Sequence, residues 1–177
     1  SIKKALKELG HEFKSETDTE VLVHLIEQYQ TSENLSLEAA VIKSLQRVVG
    51  AYAIVVIDKN NPDVLVGARK SSPLVLGVGN NEFYIASDAS PIVKYTKKVV
   101  YLNDEEIVVA RRDGSFTIKN IKNEIQNPVI EEVDLKIEQL EKGGFDHFML
   151  KEIFQQPETI LESLRGRLNA EEGWIVL

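Results

Sequence analysis

The sequence predicts an α+β fold. Three helical patterns come first, and a run of short apolar segments separated by turn residues follows, without a regular alternation of strand and helix. Helices followed by consecutive strands imply antiparallel pairing through tight turns, not a doubly wound parallel sheet.

The elements follow in order. Ile2, Leu6 and Leu9 recur at helical spacing, so residues 2–9 read as a helix with Gly10 as its left-handed end. Ser1 suits the cap of that helix better than the head of a strand, which argues against an N-terminal serine nucleophile. His11 to Ser15 reads as a short strand. The spacing Thr17-Asp18-Thr19-Glu20 is a capping box: the Thr17 hydroxyl accepts from the Glu20 amide while Glu20 reaches back. Leu22, Leu25, Ile26 and Tyr29 then mark one buried helix face, with His24 on the solvated side. A third helix starts at Ser36, turns Leu37, Ala40, Val41, Leu45 and Val48 inward, and stops at Gly50.

Ala51 to Ile57 is almost wholly apolar, so both faces of that strand are expected to be covered. After a turn over Asp58–Asp63, Val64 to Ala68 pairs back. Pro73–Val78 and Glu82–Ala86 form a hairpin around Gly79-Asn80-Asn81. Gly77-Val78-Gly79 lacks the lysine and following helix of a phosphate loop, so it reads as that hairpin's turn. Ser71-Ser72 and Ser87-Asp88 read as loop residues. Ser90-Pro91 opens a short helix, and Val99–Leu102, Glu106–Arg111 and Ser115–Lys119 are further strands. Residues 121–144 read as an irregular linker with a short charged helix from Asp134 to Lys142. From Phe145 helical periodicity returns, with a new helix starting at Pro157 and Trp174 in a core. Trp174 to Leu177 has no partner strand downstream.

Composition narrows the chemistry. The 177 residues hold 28 acidic and 21 basic side chains, a net charge of -7 that disfavours nucleic acid as a partner. With no cysteine there is neither a disulfide nor a thiolate nucleophile within the chain. His11, His24 and His147 are far apart in sequence and show no metal-ligand spacing, so a zinc enzyme is not expected. No serine has a histidine at triad spacing. Apolar runs are too short to cross a membrane, and no signal peptide opens the chain, so a cytoplasmic location is expected. The chain starts without methionine inside a helical pattern, so it reads as a piece of a longer protein.

Four segments carry a resemblance: Ser15-Glu16-Thr17-Asp18-Thr19-Glu20-Val21; Gly50-Ala51-Tyr52-Ala53-Ile54-Val55-Val56-Ile57-Asp58; Ala68-Arg69-Lys70-Ser71-Ser72-Pro73-Leu74-Val75-Leu76-Gly77 with Ile85-Ala86-Ser87-Asp88; and His147 through Pro157. In this order they resemble the glucosamine-6-phosphate synthase family, glutamine-dependent aminotransferases acting on fructose 6-phosphate. The third segment is shared in outline with other amidotransferases, and the fourth discriminates best.

The resemblance implies a partial four-layer αββα glutaminase domain of the N-terminal-nucleophile type, the class II glutamine amidotransferases. The C-terminal part of that domain would occupy residues 1–120, a linker 121–144, and the first helices of a sugar-isomerase domain 145–177. The family's N-terminal cysteine nucleophile, its carboxylate-gripping arginine loop and its oxyanion-hole pair would all lie ahead of Ser1, and the isomerase's phosphate loops and lysine beyond Leu177. The chain alone is therefore expected to be inactive, its uncovered sheet edges prone to self-association. The family implies L-glutamine and fructose 6-phosphate as substrates, no metal or organic cofactor, and a homo-oligomer. One site residue transfers: Asp18 matches the aspartate that binds the glutamine α-ammonium. A carboxylate at a helix start also fits plain helix stabilisation, which is the simplest reading of the spacing by itself. Rival readings are another amidotransferase, of the amidophosphoribosyltransferase or asparagine synthetase kind, and a non-catalytic interaction module.

Overall fold

The structure is a computed structural model that describes residues 1–133, 144–164, 168–169 and 174–175. It divides into two compact units, Ser1–Asp134 and Leu135–Leu177.

The first unit opens with α1 (Ile2–Glu8). Ser1 occupies its cap position but makes no side-chain cap bond. The far end closes as a Schellman motif: Gly10 sits at φ +92°, its N–H donates to Lys7 O at 3.0 Å, and the His11 N–H donates to Leu6 O at 3.0 Å. Residues 11–14 form no strand, contrary to expectation, because the loop's amides are used elsewhere, as described below. The next helices are α2 (Asp18–Glu33) and α3 (Leu37–Leu45). Ser36 caps α3 by accepting from the Ala39 N–H. That helix ends five residues before Gly50, which instead takes φ +119° in the connection to the first strand.

Nine strands follow in this unit: β1 (Tyr52–Asp58), β2 (Asn61–Lys70), β3 (Val75–Val78), β4 (Phe83–Ala86), β5 (Lys98–Tyr101), β6 (Glu106–Arg111), β7 (Phe116–Asn120), β8 (Ile125–Gln126) and β9 (Glu131–Glu132). They form two wholly antiparallel sheets, ordered β1-β2-β6-β7-β8 and β4-β3-β5-β9. The β1–β2 turn is tighter than expected. Only Lys59 and Asn60 intervene, and the Asn60 N–H bonds the Asp58 carboxylate at 2.8 Å. Gly79 does turn the β3–β4 hairpin, where its N–H donates to Glu82 O. The region after Ser90 forms consecutive turns rather than a regular helix, and Asp88, not Ser90, accepts the capping bond, from the Ser90 N–H. Residues 125–126 and 131–132, read as irregular, extend the edges of the two sheets.

Two apolar layers hold these elements. In one, Ile26 of α2 and Leu37, Ala40, Val41 and Leu45 of α3 pack on Tyr52, Val66, Ala68, Ile107 and Val109 of the five-stranded sheet. In the other, Leu74, Leu76, Val100 and Leu102 of the four-stranded sheet and its flanks meet Val108 and Ile118 of the five-stranded sheet. Each valine, leucine or isoleucine among them contributes about 1.5–3 kcal/mol on burial. The outer face of the four-stranded sheet carries Ile92, whose Cγ2 lies 2.4 Å from where a Cβ on Gly77 would stand, so that close approach requires glycine.

The expected double covering of β1 is not observed. Its burial alternates: Ile54 and Val56 pack on the helical layer, while Val55 and Ile57 are 47% and 73% exposed. β1 is the edge strand of the five-stranded sheet, with β2 as its strand neighbour. Apolar residue types in β1 do not encode its place at the sheet edge, where a strand has fewer neighbours to cover it.

The second unit contains α4 (Phe148–Leu164), with Pro157 inside it rather than starting a new helix. Proline removes one donor from that helix, and the helix continues across the gap. Trp174–Ile175 pairs antiparallel with the upstream Leu168–Asn169. The expected helix from Asp134 to Lys142 and the core placement of the Trp174 side chain lie outside the described residues. Among the described residues no helix is long and apolar enough to cross a membrane.

Candidate functional site

The start of α2 is built by a carboxylate hub. Thr17 sits in extended geometry and its hydroxyl accepts from the Glu20 N–H at 3.4 Å, the first half of a capping box. The second half differs from the expectation. The Glu20 carboxylate reaches past Thr17 to the backbone N–H groups of Lys14 and Ser15, both at 2.7 Å, and to the Ser15 hydroxyl at 2.5 Å. The Ser15 Oγ in turn accepts from the Thr17 N–H. Lys14 and Ser15 thus spend their amides on one side chain instead of on a strand ladder.

This hub holds the Glu20 carboxyl well below its ordinary range, at about 2 against 4.5. The Ser15 hydroxyl is the largest cause, the Lys14 and Ser15 amides add to it, and the charge of His24 assists. The sign follows from linkage: a depressed carboxylate stabilises the fold above its unfolded value and loses that contribution as pH falls through its folded one. The α2 start is therefore expected to loosen between about pH 4.5 and 2. An NMR titration of the Glu20 carboxyl should give a midpoint near 2, raised in Ser15→Ala. A midpoint near 4.5 in the unmodified chain contradicts the hub.

Asp18 is the first residue of α2, one position past the cap. It borders a cleft of about 490 Å³ together with Ser1 and Lys3 of the α1 end, Thr19, Arg47 and Val48 after α3, and Ala53 of β1. That volume suits a small metabolite. The cations along its rim are engaged: the Lys3 ammonium with Ser15 O at 3.1 Å and Glu16 at 3.4 Å, and the Arg47 guanidinium with the Tyr29 hydroxyl at 3.1 Å. Among the described residues, no hydrogen bond or ion pair engages the Asp18 carboxylate. A solvent-facing anion next to a helix start, with its neighbours' charges already paired, is available to an incoming ammonium. A larger groove of about 990 Å³ runs along β1 and α2, lined mainly by apolar side chains such as Leu22, Ile26, Val55 and Ile57.

Of the serines weighed from sequence, Ser71 takes φ +58° and its N–H donates to Asp104, a loop role, and Ser87 lies in a bend. His24, read as a solvated surface residue, is instead part-buried against His11 and under the Phe13 ring. Sequence spacing gave no sign of that contact, because His11 lies outside the helix that carries His24.

The comparisons bear on this geometry. Residues 1–94 match the family described as a glutamine amidotransferase domain. The chain is 51% identical over 176 residues to a glutamine–fructose-6-phosphate aminotransferase (isomerizing) of Bacteroides thetaiotaomicron, covering 99% of this chain and 29% of that protein. It is likewise 51% identical over 178 residues to the protein of the same name from Chlorobaculum tepidum, and again spans 29% of its length. Among solved structures, a glutamine phosphoribosylpyrophosphate amidotransferase from B. subtilis, complexed with ADP and GMP, superposes with a TM-score of 0.57 at 24% identity over 70% of this chain and 27% of that one. That likeness speaks to the fold. The family match takes in 94 of the 177 residues and includes the capped helix, the cleft and both sheets' first strands, so the chain belongs to the glutamine amidotransferase domain family.

Proposed function

We propose that this chain is the later part of a glutaminase domain, with the start of a sugar-isomerase domain, in an enzyme that transfers the amide nitrogen of glutamine to fructose 6-phosphate and makes glucosamine 6-phosphate. Residues 1–120 belong to the glutaminase, 121–144 link, and 145–177 open the isomerase. The names of the relatives that match nearly the whole chain support the reaction. So does the His147–Pro157 segment, which resembles the join between those two domains. The complete enzyme is read as a cytoplasmic homo-oligomer.

One observation carries the reading of the site: the unengaged Asp18 carboxylate at the rim of a cleft of amino-acid size. In this role Asp18 receives the α-ammonium of glutamine through charge-assisted hydrogen bonds. The chemistry itself needs a nucleophile. The family supplies a cysteine thiol with an α-amino base, and these 177 residues contain no cysteine.

The test has two arms. The purified 177-residue chain given glutamine should release no ammonia above buffer, whereas a protein that carries this chain within the length of its relatives should release ammonia and aminate fructose 6-phosphate. Ammonia release by the short chain overturns the assignment of the nucleophile. Ammonia release without sugar amination by the long protein overturns the acceptor and leaves a glutaminase of another amidotransferase kind.

A further inference from the structure

We propose that His11, His24 and Glu27 form a divalent-cation site of the zinc type, independent of the glutamine reading. Each of the three residues offers one ligand atom, and these atoms lie within 4.8 Å of one another. The fold creates this juxtaposition. The Schellman turn after α1 sets His11 against α2, with its own N–H anchored on Leu6 O. His24 and Glu27 stand three residues apart on α2 and so share a helix face.

The geometry is that of a coordination triangle. His11 Nδ1 and His24 Nδ1 are 3.0 Å apart, and Glu27 Oε2 lies 3.8 Å from the first and 3.6 Å from the second. A triangle with those sides has its centre about 2.0 Å from every corner, which is the bond length zinc makes to imidazole nitrogen and carboxylate oxygen. Two histidines and one glutamate form a known zinc donor set, with the fourth position left for water. The side chains of His11 and His24 are 13% and 18% exposed, while that of Glu27 is 61% exposed, so the site is walled by protein and open on one side.

Hydrogen bonding prepares the same atoms. His11 Nε2 lies 2.8 Å from Gln28 Oε1, an acceptor, so Nε2 carries the proton and Nδ1 presents its lone pair inward. His24 Nε2 faces the Glu20 carboxylate at 3.7 Å, which leaves its Nδ1 directed at His11. The two Nδ1 atoms share a hydrogen bond of 3.0 Å beside the Glu27 carboxylate, and a bound cation takes the place of its proton. A cation bound there ties residue 11 to residues 24 and 27, and so clamps the loop whose amides hold the start of α2. The Lys3 and Lys7 ammonium groups lie on the Phe13 ring, 5.1 and 6.0 Å from its centre, and are nearby positive charges that oppose binding.

Zinc titrated into the metal-free 177-residue chain, followed by calorimetry and thermal melting, tests the site. The expected result is one zinc per chain at micromolar affinity and a raised Tm. His24→Gln and the exposed Glu27→Gln should each weaken binding by about 100-fold and abolish the Tm shift, and Gln28→Ala should weaken it about tenfold. His147→Gln should change nothing. Binding that survives both His24→Gln and Glu27→Gln overturns the proposal, because the ion then sits on other groups. Absence of binding at submillimolar zinc also overturns it, because the imidazole pair then holds a proton only. Glu27→Gln changes one exposed helix position, so it reports on the ligand set even if the histidine variant unfolds.

Discussion

Replacing Asp18 by alanine in an active enzyme that contains this chain is expected to raise the KM for glutamine by roughly 10- to 100-fold, the loss of one charge-assisted contact worth about 1.5–3 kcal/mol. The maximal rate should change far less, because an ammonium held away from the reacting amide is bound equally in ground and transition states. Asp18→Asn should fall between the two, keeping the acceptor oxygen and losing the charge. The competing role for Asp18 is helix stabilisation, worth only about 0.3–1 kcal/mol for an acid in the first turn. The two roles separate cleanly. If Asp18 only serves its helix, the alanine variant melts slightly earlier and its glutamine kinetics are unchanged. Thr17→Ala provides the reverse control, since it removes the cap and leaves the carboxylate in place.

The start of α2 shows what the residue pattern specifies and what it does not. A threonine followed three residues later by glutamate announces a helix start in sequence alone, and the structure has it. The reach of that glutamate to the Lys14 and Ser15 amides was not legible, because it depends on how the loop returns from α1. The approach of His11 to His24 escaped for the same reason: only the spacing along α2 is periodic, and the other partner arrives from a turn. The strands were legible where Gly, Asn and Asp bound apolar runs. β8 and β9 were missed because two residues are too few to show a period. Asp18 was singled out by a resemblance, since a carboxylate at a helix start looks the same from spacing whether or not it meets a ligand. The structure adds that its neighbours' charges are engaged and its own is not.

Leu45→Ala is expected to cost about 2–5 kcal/mol of stability, a large share of the roughly 5–15 kcal/mol available to a domain. Leu45 is 1% exposed at the end of α3, in the layer where that helix meets β1, β2 and β6. Its removal leaves a void that the sheet, held by ladders on both sides of β2, cannot collapse to fill. Urea unfolding should show a lower midpoint at unchanged slope. Ile57→Ala supplies the contrast. Ile57 is the same size but 73% exposed on the inward face of β1, so its truncation should stay within about 0.5 kcal/mol. A large loss at Ile57 would mean that this face is covered in solution, by a second copy of the chain or by a further strand added to the β1 edge, as the apolar run from Ala51 to Ile57 first suggested. Equal and small losses at both positions would mean that α3 does not dock on the sheet. The cleft that Asp18 borders would then lose the wall formed by Arg47 and Val48, because the position of α3 fixes that connection.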